Sequence, residues 1–362
     1  MKKLLLAALI ATTITHAAPR EASNLPLPLY WLDMAVLRDL KAQADGDEWW
    51  RVRRIGATKS STSPSVAERA AKFGAAADKL RYFAEHPSDS GEEDQYLWAF
   101  ADAASAEAAF ALLDSQGFAA LPSGEKALGT PGEIDWDNAK NWDVVWQPNG
   151  FAVVMERRDD LLWQGSKLRS AMPAPAQQSH WQSTLDTLRA ALPENAQALQ
   201  ASFFRKENGL RQGIIGVWEA MTEGKEDADK PSEEAVEVAL VAKGGLPPYL
   251  GGVLIDAQHG DKAIFLIALA YPDCDAADKA QAALPARWET WREERAHKYL
   301  PIAAGNSIDT LQIRETAGDQ YCYAVLRHVS ASANPAEHPA LRTVWQAFLL
   351  RDFNVINIDT GE

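Results

Sequence analysis

Few residues in this sequence stand at spacings that chemistry requires. Ser123 and Lys126 fit Ser-x-x-Lys, where a lysine amine one turn away can take a proton from a serine nucleophile. The Ser-Asp-Asn and Lys-Thr-Gly runs that complete such sites are missing, so the spacing is read as coincidence. Ser90, Ser115, Ser123, Ser166 and Ser307 each have a glycine nearby, but none is held between two glycines in the Gly-x-Ser-x-Gly elbow. Cys274 stands near an expected helix start, where the macrodipole favours a thiolate, and His328 is the base a thiol hydrolase would use. The competing reading joins Cys274 to Cys322 or leaves both as core thiols. His259 with Asp256 and Asp261 offers imidazole beside carboxylate, yet Gly260 makes the run a hairpin tip, which needs Asp and Gly for backbone reasons alone. Glu337-His338 with His328 forms a second loose group. No His-Glu-x-x-His, glycine-rich phosphate loop or cofactor signature occurs, so no catalytic residue, metal ligand or cofactor is assigned.

Tryptophan is the one excess, with 13 in 362 residues. Aromatic faces stack on sugar rings and on cationic or aromatic side chains, and large rings also fill cores. Trp181, Trp288, Trp291 and Trp345 fall on expected helices and read as core. Trp136, Trp142 and Trp146 are close-set, the first two in a polar segment, and are the candidates for a glycan or protein platform. Trp49-Trp50 beside Arg51, Arg53 and Arg54 makes a second aromatic patch, set against Asp45, Asp47 and Glu48.

The elements that would position these residues repeat. A capping box at Ser65 and Glu68 opens a helix, followed by strands over 80–85 and 96–101 and an Ala-rich helix over 105–116. From Pro231-Ser232, about 167 residues on, the order recurs: a helix stopped by Gly244-Gly245, strands around 253–255 and 263–270, and an Ala-rich helix from Asp275. Hairpins follow in both halves. In the first, 143–146 and 151–156 flank Pro148-Asn149-Gly150; in the second, 310–314 and 321–327 flank Gly318-Asp319. Each leads to a helix carrying a Trp-Gln pair, 181–182 and 345–346. The fold class expected is α+β, with two related modules of antiparallel hairpins covered by helices on one face, from an internal duplication. The divisions expected are a signal peptide over 1–17, a helix (30–44) and linker within 18–64, module 1 over 65–221, an acidic linker over 222–231, and module 2 over 232–362. Extra strands are expected within 201–220, around Ile214-Ile215 among Gly209, Gly213 and Gly216.

The N-terminus has the three parts of a cleavable export signal: Lys2-Lys3, an apolar run over 4–14, and the small-x-small site Thr15-His16-Ala17. The run is well short of the ~20 residues of a spanning helix. Cleavage after Ala17 delivers the chain to the periplasm and leaves 345 residues with 34 basic against 50 acidic side chains, a net charge of −16. Such a surface repels phosphate backbones and anionic lipid heads, so nucleic acid and stable membrane insertion are set aside as partners. The function expected is that of an exported, non-catalytic protein that binds a macromolecule, a protein or glycan of the envelope, as an inhibitor, immunity factor or accessory. The alternatives are a glycan or cell-wall hydrolase with carboxylates between the modules, and a small-molecule-binding protein.

Overall fold

The computed structural model describes residues 30–41, 51, 80–87, 94–100, 103–115, 119–120, 127–129, 142–146, 151–156, 187–224, 230–295, 307–314, 321–331, 334–335 and 338–359. In chain order the elements begin with β1 (Tyr30–Asp33), α1 (Met34–Lys41), β2 (Leu80–Pro87), β3 (Asp94–Phe100) and α2 (Ala103–Ser115). Next come β4 (Ala119–Ala120), β5 (Ala127–Gly129), β6 (Trp142–Trp146), β7 (Phe151–Glu156) and β8 (Gln197–Arg205). After β8 lie α3 (Lys206–Leu210), α4 (Ile214–Thr222), α5 (Glu233–Ala242), β9 (Gly251–His259), β10 (Lys262–Tyr271) and α6 (Cys274–Arg295). The chain closes with β11 (Ser307–Arg314), β12 (Cys322–Ala331), α7 (Pro339–Leu349) and a 3₁₀ turn over Asn354–Ile356.

The fold is α+β, and the strands form a single antiparallel sheet in the order β11-β12-β10-β9-β8-β1-β2-β3-β7-β6-β5-β4. Its centre is the short strand β1, which pairs with β2 on one side (Leu32 opposite Phe83) and with β8 on the other (Leu32 opposite Gln200). Outward from that seam the pairings run β1-β2-β3-β7-β6 and β8-β9-β10-β12-β11, the same sequence of connections in each direction.

Local chemistry accounts for the element boundaries. The β9–β10 hairpin closes with His259 opposite Lys262, so Gly260 and Asp261 form a two-residue turn, and Gly260 adopts φ +57°, open to a residue without Cβ. Ser232 caps α5 by accepting from the Ala235 N–H at 3.2 Å, and Asp273 does the same for α6 from the Ala276 N–H at 2.8 Å.

Two expected elements differ. The helix expected over 30–44 begins at Met34, because Asp33 accepts the Ala35 and Val36 N–H groups as an N-cap, and Tyr30–Asp33 is spent on strand pairing. The strands expected within 201–220 are confined to β8; the chain then turns helical, with α3 and α4 separated at Gly213, which takes φ +88°. Glycine spacing there marks a helix junction and a close approach, which the pattern alone does not separate from strand breaks.

The core packs α6 and α7 on one face of the sheet. Phe265, Ile267 and Leu269 of β10 meet Leu284, Trp288 and Trp291 of α6 and Val344, Trp345 and Phe348 of α7, all buried. Truncating either Trp288 or Trp291 to Ala is expected to cost about 3–5 kcal/mol. The alternating residues Ile264, Leu266 and Ala268 are buried too, so β10 has no wet face, unlike the half-solvated strand expected. A smaller cluster joins α4 to α5 through Ile214, Val217, Val236 and Leu240. The acidic run 222–231 therefore links two helices that pack on each other.

Candidate functional site

Two places gather polar groups. The first lies inside the sheet, along a row of cross-strand neighbours: Gln200 of β8 opposite Asp256 of β9, Asp256 opposite Phe265 of β10, and Phe265 opposite His328 of β12. Residues in such a row share a face, and this one turns toward the core. Asp256, 1% exposed, accepts from Arg51, whose Nε lies 2.8 and 2.9 Å from the two carboxylate oxygens and whose Nη2 also pairs with it. The Gln200 amide donates to the same carboxylate at 2.7 Å. The Arg51 guanidinium also donates to Gln258 Oε1 (2.6 Å), the Ala257 carbonyl (2.8 Å) and the Pro335 carbonyl (3.0 Å).

Two histidines flank this pair. His338 caps α7, its Nδ1 accepting from the Leu341 N–H at 3.3 Å, and its Nε2 lies 3.8 Å from Asp256 Oδ1. His328 stacks on Phe265 with centroids 4.9 Å apart, and neither of its ring nitrogens has a hydrogen-bond partner. Burial drives the His328 pKa down to about 3, with His338 adding in the same direction. Burial likewise lowers His338 to about 4, opposed by Asp256 and reinforced by Arg51. Both imidazoles are therefore neutral at pH 7. Every strong donor and acceptor of the Arg51–Asp256 pair is satisfied from within, and the pair is closed to solvent. Such an arrangement ties Arg51 to β9 and to the approach to α7; it offers a substrate no access.

The second place is open. A pocket of about 520 Å³ lies between α4, α5, α6 and the 3₁₀ turn. Gly213 and Gly216 supply its α4 wall, Leu240 and Lys243 come from the end of α5, Arg287, Thr290, Glu294 and Arg295 from α6, and Asn354 and Asn357 from the C-terminal segment. The C-terminal segment is fixed by backbone bonds: Leu246 N–H donates to the Asn357 carbonyl at 2.7 Å and Asp359 N–H to the Leu246 carbonyl at 2.9 Å. Arg287 donates Nε to the Val355 carbonyl at 2.9 Å and Nη2 to the Asn354 carbonyl, so it holds the 3₁₀ turn without an acid as hydrogen-bond partner. Burial lowers its pKa, against the influence of Tyr271, Tyr249 and Asp359. Arg295 pairs with the buried Asp352 at 2.9 Å and with Glu219 at 3.2 Å. It passes so close to α4 that a Cβ at Gly216 would collide with its guanidinium. Lys243 has no ion pair among the described residues. Asn357, 2% exposed, has an Oδ1 without a hydrogen-bond partner.

The residues singled out by sequence are distributed differently. Trp49, Trp50 and Trp136 lie outside the described residues, as do Ser123 and Lys126, the Ser65–Glu68 capping box, and Trp181-Gln182. Trp142 and Trp146 are the first and last residues of β6, opposite Glu156 and Val153 of β7. Cys274 and Cys322 are joined as a disulfide with Cα atoms 5.1 Å apart, which removes the thiolate a hydrolase would need. Asp256 turns away from the His259 tip into the Arg51 pair. Among the described residues no group of three His, Cys, Asp or Glu side chains is placed to hold a metal. No helix among them is long and apolar enough to cross a membrane. Arg51, Gln200, Lys243, Arg287, Arg295 and Asn357 escaped the sequence reading as site residues. Nothing in their spacing joins them, since they converge only through the sheet and the C-terminal segment.

No family model and no curated protein matches the sequence. Among solved structures, crystal form I of TP0453 is similar at 10% identity and a TM-score of 0.35, covering 88% of this chain and 93% of that one. Crystal form III of TP0453 gives 10% identity and a TM-score of 0.34, covering 88% and 98%. A likeness at these scores carries no functional weight.

Proposed function

We propose that this chain is exported to the periplasm, cut after Ala17, and acts there as a non-catalytic binding protein that holds a small ligand between α4, α5 and α6. Export is supported by Lys2-Lys3, the apolar run over 4–14 and the small-x-small site before Ala18. The observation that carries the binding role is the pocket itself: about 520 Å³, with an apolar wall at Leu240 and polar groups converging from three elements. That is the size and mixed lining of sites that enclose small molecules. Hydrolysis by paired carboxylates is the weaker reading, because this pocket has a single carboxylate, Glu294.

A macromolecular partner is the second reading, favoured by apolar side chains left in solvent, Val238 at 65% exposure and Leu349 and Leu350 at 49% and 47%. The equivalence of the connections on either side of β1 supports two modules over 65–221 and 232–362 descended from one, sharing their sheet.

Ligand-induced thermal shift on the mature protein tests the binding role, since a compound that binds only the folded state raises the melting temperature. A panel of envelope metabolites is expected to yield a compound whose shift disappears in Ala286→Trp, which places a large ring at an exposed position of the pocket wall. A panel without such a compound would remove the pocket from the proposal. Intact-mass measurement of the exported product tests the compartment, with Ala18 expected as the first residue.

A further inference from the structure

We infer that this pocket selects ligands bearing an oxyanion, a carboxylate or phosphate, on a hydroxylated body; the inference rests on the binding role proposed above. The chain as a whole is acidic, with a formal charge of −14, yet three cations line this pocket, Lys243, Arg287 and Arg295, against one acid, Glu294. The local sign is therefore opposite to that of the molecule.

Not all three cations are equally available. Arg295 is occupied by Asp352 and Glu219. Arg287 spends two donors on backbone carbonyls, neither of which neutralises its charge. Lys243 has no ion pair among the described residues. A guanidinium held by carbonyls at a pocket wall gains from an incoming anion, because charge-assisted hydrogen bonds are stronger than neutral ones. The positive end of α4 lies at the same wall, where Gly213 and Gly216 leave the first-turn backbone uncovered by side chains.

Asn357 supplies an independent indication. A buried amide oxygen without a partner is destabilising unless a donor reaches it, and this one belongs to a residue lining the pocket. A ligand hydroxyl is the complementary group. An oxyanion toward Lys243 and Arg287 with a hydroxyl toward Asn357 defines the class: sugar phosphates and hydroxy acids fit, and neutral sugars lack half of it.

The test uses the full mature protein with four probes: glucose 6-phosphate, citrate, inorganic phosphate and glucose, the last as the neutral counterpart of the first. Binding by calorimetry is expected for glucose 6-phosphate or citrate and to exceed that of glucose by at least about tenfold, the size of one charge-assisted contact. Inorganic phosphate separates the oxyanion alone from the hydroxylated body, and is expected to bind more weakly than the sugar phosphate. Two variants at one position isolate charge from volume. Ala286→Glu is expected to weaken the anionic probe about tenfold or more, while Ala286→Gln, of nearly equal size, stays within about threefold of wild type. Lys243→Glu, at an exposed position, is expected to act like Ala286→Glu.

Equal loss in the Glu and Gln variants, equal affinity for glucose and its phosphate, or no binding of any anionic probe at millimolar concentration would each overturn the anion inference. If a neutral compound binds and Ala286→Trp abolishes its binding, the pocket reading survives and only the charge assignment falls.

Discussion

His328 and His338 are ionisable groups kept where ionisation is costly. Each has a folded-state pKa depressed below the ordinary 6.5, to about 3 and about 4. The sign is set by which state holds more protons. Above pH 6.5 both histidines are neutral folded or unfolded, and the fold suffers no penalty. As the pH falls below 6.5 the unfolded chain takes up protons that the folded chain refuses, so stability declines toward pH 4. The loss is on the order of 2 kcal/mol per histidine at pH 5. Urea unfolding at pH 7 and pH 5 is the measurement, and His328→Phe is expected to remove about half of the difference. That variant should be neutral or stabilising at pH 7, because both nitrogens of His328 lack partners and its ring already stacks on Phe265. Asp256 differs in kind. Asp256→Asn leaves the Arg51 guanidinium buried without its anion, and breaking a buried pair from one side costs about 3–5 kcal/mol. Calorimetry of Asp256→Asn at pH 7 checks it; a loss under about 1 kcal/mol would mean that the pair is not enclosed as described.

At the scale of elements, the disulfide joins the first residue of α6 to the first residue of β12 and closes a loop 48 residues long. In the chain-entropy account, cross-linking a loop of this length stabilises by about 4 kcal/mol. Reduction under native conditions, or Cys274→Ala with Cys322→Ala, is expected to lower stability by a few kcal/mol without changing the fold, since both ends pack in the core cluster. Chemical denaturation with and without reductant reads the difference.

These elements were unequally legible in the sequence. The β9–β10 hairpin was readable because its signal is local: two apolar runs around a Gly-Asp turn. Helix α5 was readable from Ser232 and from Gly244, whose φ of +72° suits a residue after a helix end. Strand β1 was not, because Leu32 satisfies a helical period with Val36 as well as it satisfies a strand, and Asp33 decides the matter by capping α1. The polar row was hidden for a different reason. Arg51, Gln200, Asp256 and His338 stand far apart in the chain, and each is an ordinary residue until strand register brings it opposite the others. The pocket shares that property, since its cations come from two helices whose mutual placement depends on the C-terminal segment.

At the scale of the molecule, the sheet is continuous only through β1. Four residues bridge β2 and β8, and Leu32 at their centre is fully buried. The Arg51–Asp256 pair is a second tie across the same seam, from a residue beyond α1 to β9. Deleting residues 18–33 removes the bridging strand and the Asp33 cap of α1, and opens the facing edges of β2 and β8, which unpaired strands present as templates for association. The halves would then be held by side-chain ties alone. Scanning calorimetry of the deletion variant is expected to resolve two transitions where the intact chain gives one, and sedimentation is expected to find concentration-dependent association through the open edges. Leu32→Ala is the control. It removes core volume at a cost of about 2–5 kcal/mol but keeps the backbone ladder, so its melting temperature falls while the transition stays single. A deletion variant that melts in one unshifted transition would show that β1 is not the strand through which the halves cooperate.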